Sequence, residues 1–389
     1  MSIRKLLLLV AVSLLPGVAS SAPGLAPLTV IQPQNRADFI RSLKINGFRV
    51  KGGIAAALTN PNNSNSKSFP HFSSFFNYQG TNYPYTMVGY PPASGKPSKI
   101  RPVIIPLRMN FTFFEVDKSF DPAVAVDNIL KSPIFNAASF PNGVGQFGDM
   151  LQRATFWNKM DRGRGWHVVM DTPRVLPTVN VLVEPDIGEL IQLGQSQEEI
   201  LGNIRFGAMD STIHTLLQFI GVQPDELPIF VTQNVFADAL GYHDAFAVGQ
   251  SDGSAVLQTL IYTSWLDINL VGPLLADVST LNHEMGEWLN DPYVNNMVPL
   301  WNFPNIPVCG DNPFLEVGDP QGNGPNADSF PTVPIPLNGF TYHLQDLVML
   351  PWFTGEMPSS AQNGWYDFPS TTQITSPFVP CGAEAKTNH

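Results

Sequence analysis

The residues best suited to chemistry lie in the run Asp277-Val278-Ser279-Thr280-Leu281-Asn282-His283-Glu284-Met285-Gly286-Glu287-Trp288-Leu289-Asn290-Asp291-Pro292. An α-helix turns by roughly 100° per residue, so four steps return nearly to the same face. His283 and Glu287 therefore point one way on a helix, and an imidazole and a carboxylate so placed can grip one divalent ion. Glu284, one step round, is placed to take a proton from a water polarised by that ion. This is the logic of the His-Glu-x-x-His helix, with Glu287 in the place of the second histidine. Gly286 costs roughly 1 kcal/mol against alanine inside a helix, and a small residue there lets another element come close. Downstream, the acidic run Leu315-Glu316-Val317-Gly318-Asp319 can supply a third ligand from a loop.

The pattern around these residues predicts what holds them. Val278, Leu281, Met285, Trp288 and Leu289 form an apolar stripe at helical spacing opposite His283 and Glu287. Asp277 or Ser279 can cap the start, and Pro292 ends the helix near Asn290. Before it, Leu227 to Thr232, Gly241 to Val248 and Leu257 to Trp265 read as strands. Earlier still, Val103 to Leu107, Met109 to Val116, Trp166 to Met170 and Val179 to Val183 also read as strands. Helices are expected over 145–159, over 210–220 with Gly221 as terminator, and from Ser196, where Glu199 completes a capping box. A further helix is expected over 342–353. Residues 23–100 read as a loop-rich lead-in, with a main domain over 101–389.

Composition limits the class. Among 389 residues, 43% are apolar and only 14% charged, enough for a sizeable core in one large domain. Arg4 and Lys5, then Leu6 to Leu15, then Pro16-Gly17 and small residues to Ala22 have the order of an export signal, cleaved after Ser20 or Ala22. The apolar run is too short to span a bilayer, so a secreted or periplasmic chain without a membrane span is expected. Removing the two basic residues takes the formal charge from −11 to −13, which disfavours nucleic acid as a partner. In an exported chain, Cys309 and Cys381 are expected to form one disulfide tying the C-terminal tail to the body. A phosphate-binding glycine loop with its lysine is absent.

The series His283-Glu284-x-x-Glu287, Asn290-Asp291-Pro292, Trp301 and Glu316-Val317-Gly318-Asp319 resembles a group of uncharacterised secreted bacterial proteins with a zincin-like motif. Ser132 to Phe135, Gln152 to Trp157, Gly241-Tyr242-His243 and Tyr342 to Asp346 extend the resemblance over roughly residues 100–355. It implies an α+β fold with a zincin-like core: a mixed β-sheet and an active-site helix, with loop-rich N- and C-terminal extensions. It also implies a zinc metallopeptidase type of hydrolase acting on peptide or protein, most simply as a monomer. His283, Glu287 and Glu316 would be the metal ligands and Glu284 the general base. Asp319 follows as ligand or as acceptor for His283. Asp291 could reach the same region, although its place before Pro292 also suits a turn. His243, on a candidate edge strand where zincins line the substrate cleft, and His343 complete the set. His71, His167 and His214 read as structural. The oxygen-rich donors admit calcium or manganese beside zinc. The rival expectation is a non-catalytic exported protein with a structural metal, or a surface or carbohydrate-binding role.

Overall fold

In the computed structural model the described residues are 9–10, 28–39, 68–161, 165–194, 196, 198–249, 255–301, 312–320 and 331–378. They form a mixed α+β architecture. Five strands make the body of a nine-stranded sheet: β1 (Ser98–Phe111), β2 (Val179–Val183), β3 (Glu226–Gln233), β4 (Gly241–Gly249) and β5 (Ala255–Trp265). Their spatial order is β2, β1, β3, β5, β4, with Leu9–Val10 paired outside β2. The pairs from β2 to β5 are parallel, and β4 closes the opposite edge antiparallel to β5. The helices that pack on the sheet are α1 (Ala123–Lys131), α2 (Phe147–Thr155), α3 (Phe206–Phe219) and α4 (Ser279–Asn290).

Strand alternation divides the core in two. Ile104 of β1, Ile229 and Val231 of β3, and Ile261 of β5 face the cluster that contains α2 and α4. Their neighbours Val103, Ile105, Phe230, Leu260 and Tyr262 face the cluster that contains Met209, Ile213 and Leu216 of α3. The same rule applies at the edge. Ala245 of β4 belongs to the α4 side, whereas Tyr242 and Phe246 belong to the α3 side. His243 therefore shares the α4 side and Asp244 the α3 side.

Where the sequence suggested two strands, β1 runs unbroken through Pro102 and Pro106, and ends at Phe111 rather than Val116. A proline has no N–H to give to a ladder. Both sit where β1 changes partner on one side: Val168–Met170 reaches Ile100, Arg174–Val175 spans Val103 and Ile104, and β2 begins at Leu107. The strand starts at Ser98, and the hairpin His71–Tyr78/Thr81–Val88 precedes it. Asn296 ties that hairpin to the end of α4 by accepting from Thr86 N–H and donating to Thr86 C=O, both at 2.8 Å. The segment before residue 101 thus includes part of the sheet and part of the packing around α4.

Two expected helices are strands. Ser196 does not open a helix: Gly188–Gln192 and Ile200–Ile204 pair antiparallel across it. Half of the capping box survives as a turn, with Ser196 N–H donating to Glu199 Oε2 at 3.4 Å. Residues 342–353 likewise divide into Phe340–Gln345, paired with Thr332–Leu337, then Leu347–Val348, then one helical turn, Leu350–Phe353. Here Tyr342 and Leu344 are buried while Thr341 is exposed, the period of two that decides for a strand. The helix over 210–220 begins earlier, at Phe206, and Gly221 follows it with φ +65°. Cys309 and Cys381 lie outside the described residues, as does all of the expected export signal except Leu9–Val10.

Every residue of α4 is buried. Neither Asp277 nor Ser279 caps it; Asp277 instead uses its carboxylate on Val278 N–H and on His343. A Cβ at Gly286 would lie 2.2 Å from Leu347 Cδ1, so the small residue admits the C-terminal segment. Gly286→Ala should lose up to about 2 kcal/mol of stability, because overpacking costs about 1–3 kcal/mol against a helix gain of about 1 kcal/mol. Urea unfolding would check this, and a more stable variant would contradict the tight packing.

Candidate metal centre

The polar face of α4 meets three other pieces of chain in the interior. His283, Glu284 and Glu287 come from α4, His243 from β4, and Glu316 and Asp319 from the segment after Phe314. Asp291 stands just past the helix. All seven are at most 5% exposed. His283 Nε2 lies 3.1 Å from Glu287 Oε1 and 3.6 Å from Asp319 Oδ1. His243 Nδ1 lies 3.5 Å from Glu284 Oε2 and 3.6 Å from Glu287 Oε2. These atoms form two groups with metal-ligand spacing, His283–Glu287–Asp319 and His243–Glu284–Glu287, which share Glu287.

The surrounding hydrogen bonds fix which nitrogen of each ring faces the carboxylates. Gln345 Nε2 donates to Gly318 C=O at 2.7 Å, which leaves Gln345 Oε1 as an acceptor 3.0 Å from His283 Nδ1. The proton of a neutral His283 thus sits on Nδ1, and the Nε2 lone pair points at Glu287 and Asp319. For His243, Nε2 lies 3.1 Å from Asp291 C=O, which can only accept. Its Nδ1 therefore faces Glu284 and Glu287. Gln345 is itself clamped to α4: its N–H donates to Asn282 Oδ1 at 2.7 Å, and Asn282 Nδ2 donates to its C=O at 2.9 Å. Two glycines permit the close approach. A Cβ at Gly318 would lie 2.3 Å from His283 Nδ1, and one at Gly241 would lie 2.8 Å from Glu284 Oε1.

Five carboxylates surround two imidazoles, all deeply buried. Burial alone would push both rings toward neutrality, yet the neighbouring carboxylates raise each to about 9: chiefly Glu287 for His283, and Glu284 with Glu287 for His243. Burial would likewise raise Glu287, but the attraction of His283, then His243, and the Gly318 N–H at 3.1 Å bring it below the ordinary carboxylate range. Burial raises Glu284, and carries Asp319 and Glu316 well above that range with the charge of Glu287 adding to both. Asp291 is raised to about 6 by burial, although Asn295 and Asn296 N–H donate to it. Neither oxygen of Glu316 makes a hydrogen bond.

The donor set fits a divalent cation. It offers imidazole nitrogens with their lone pairs directed inward, several carboxylates, and in Glu316 two buried oxygens that no protein donor satisfies. His283 and Glu287 stand together as their spacing predicts. Asp319 closes the tighter group, and Glu316 lies in the same charged cluster. His243 belongs to the site. Asp291 serves the turn with its carboxylate and His243 with its carbonyl. His343 stands apart from both groups, 2.7 Å from Asp277 Oδ2. Gln345 and Gly318 were not singled out as site residues; the signals were their places in the runs Tyr342 to Asp346 and Leu315 to Asp319.

No family model, no curated protein and no solved structure matches this chain. The site is therefore read from its own geometry.

Glu316 gives a test of the charge imbalance. Its carboxyl is held above its unfolded value, so the folded chain binds that proton more tightly. The resulting contribution favours folding at acid pH and is lost as pH rises through the folded value. In excess chelator, wild-type stability should fall from mildly acid to mildly alkaline pH, and Glu316→Gln should fall less steeply. Parallel pH profiles from chemical unfolding would contradict this electrostatic account.

Proposed function

We propose that this chain is an exported metal-dependent hydrolase of the zinc metallopeptidase type, with its ion held by His283 and Glu287 together with Asp319 and Glu316. The observation that carries the reading is the pair of partnerless oxygens on buried Glu316, amid Glu287, Asp291, Asp319 and Glu284. The mixed sheet supports a zincin-like core: an antiparallel edge strand, β4, runs beside the helix that bears the ligands. The imidazole nitrogen of His283 in the donor set favours zinc; manganese or calcium would suit the carboxylates. Export to a secreted or periplasmic location rests on the leader-like N-terminus. No helix among the described residues is long and apolar enough to cross a membrane.

When bound, the ion supplies Lewis acidity toward a scissile carbonyl and toward water. The remaining chemistry belongs to side chains. Glu284 accepts a proton from the attacking water and returns it to the leaving amine. Burial raises its affinity for a proton, which suits a base that must also act as an acid. His243 holds Glu284 in place from the edge strand. Gln345 keeps the proton of His283 on Nδ1. Peptide or protein is the proposed substrate, and nucleic acid is disfavoured by the acidic chain.

A second reading, a structural metal in a non-catalytic exported protein, is favoured by one specific observation: Glu284 is only 1% exposed. One experiment separates the readings. Purified wild type should carry about one equivalent of metal at this cluster, and His283→Ala should lose it. Glu284→Gln should keep the ion yet lower peptide hydrolysis by about 100- to 10,000-fold. Metal without hydrolysis in any variant selects the structural reading. Equal and negligible metal in wild type and His283→Ala overturns both.

A further inference from the structure

The face of β4 opposite His243 carries a separate constellation. Asp210 and His214 are four residues apart on α3, so they share a face. Asp244 reaches them from β4, pointing away from the buried centre by strand alternation. His214 Nε2 lies 3.8 Å from Asp210 Oδ1 and 3.7 Å from Asp244 Oδ2. These gaps are too long for hydrogen bonds, but they suit an ion about 2.0–2.2 Å from each ligand. The nitrogen itself is shielded from water and makes no hydrogen bond, although the His214 side chain is 31% exposed. The ring is held in place against Phe246, with centroids 4.4 Å apart. Tyr242 approaches Asp210 Oδ1 through its hydroxyl at 3.4 Å. The three ligand atoms all lie within 4.8 Å of one another. The sequence alone gave His214 a structural role, because Asp244 joins it only through the fold.

We propose that Asp210, His214 and Asp244 form a second, solvent-accessible site for a divalent transition-metal ion of the zinc class. The His214 and Asp210 side chains are 31% and 17% exposed, so water on their side can complete the coordination. An ion there cross-links α3 to the edge strand and braces β4 from the side opposite His243. It would also be the faster of the two to exchange, since all the candidate ligands of the buried centre are at most 5% exposed.

The test is equilibrium dialysis of the chelator-stripped full-length protein against Zn2+, with bound metal counted per chain. Wild type should bind one equivalent more than His214→Ala or Asp210→Asn. His283→Ala should keep that equivalent. Asp210→Asn, which keeps an acceptor for Tyr242, should leave the metal-free thermal midpoint close to that of wild type, and it keeps the test open if His214→Ala, which loses the Phe246 contact, misfolds. If the buried centre binds nothing, wild type binds one ion and His214→Ala none, so failure of one site is not mistaken for failure of the other. Zinc binding by both α3 variants equal to wild type overturns the proposal.

Discussion

Five carboxylates and two imidazoles are buried together in the interior, and the surrounding structure answers to that fact. An ionised carboxylate loses a large hydration energy on burial, and recovers it only from opposite charge or donated hydrogen bonds. Glu287 is served by His283, His243 and the Gly318 amide, and Asp291 by two backbone amides. Glu316 is served by none, and Asp319 by too little to hold it in its usual range. Protons on the imidazoles and acids relieve the imbalance in part. A divalent cation would relieve it more fully, because it would offer two charges where the inward-facing atoms converge.

The fold is arranged to hold this charge in place. Strand alternation sends His243 to one side of the edge strand and Asp244 to the other. The helix Ser279–Asn290 turns its apolar stripe into the large core and its polar face toward the edge strand and the C-terminal hairpin. That hairpin matters as much as the helix, since Asn282 and Gln345 bind each other twice and Gln345 then sets the tautomer of His283. Glycines at 241, 286 and 318 occupy the points of closest approach. Each is a place where a Cβ would enter a neighbouring side chain, two of which belong to the site itself.

Much of this was legible before the structure. The spacing of His283 and Glu287, the stripe opposite them and the stop at Pro292 located the helix to within two residues. The hydrophobic runs of the central strands were equally plain, because buried parallel strands read as continuous apolar sequence. The errors came where a local signal was overridden by tertiary pairing. Ser196 and Glu199 make a turn that resembles a helix start, but Ile200–Ile204 has a partner strand. Tyr342 to Gln345 looks helical only if the alternation of Tyr342 and Leu344 is passed over. Gln345 was invisible as a site residue because its role depends on a hydrogen bond across 62 positions. Asp244 and His214 meet for the same reason, through a strand and a helix that the sequence does not place side by side.

The buried centre is proposed to hold a cation. Anomalous diffraction from crystals of the full-length protein grown with Zn2+, with data on both sides of the zinc edge, tests it most directly. An edge-dependent peak bounded by His283 Nε2, Glu287 and Asp319, with a Glu316 oxygen turned toward it, is expected. Interior density there with no edge-dependent signal, and the carboxylates hydrogen-bonded to one another or to water, would contradict it.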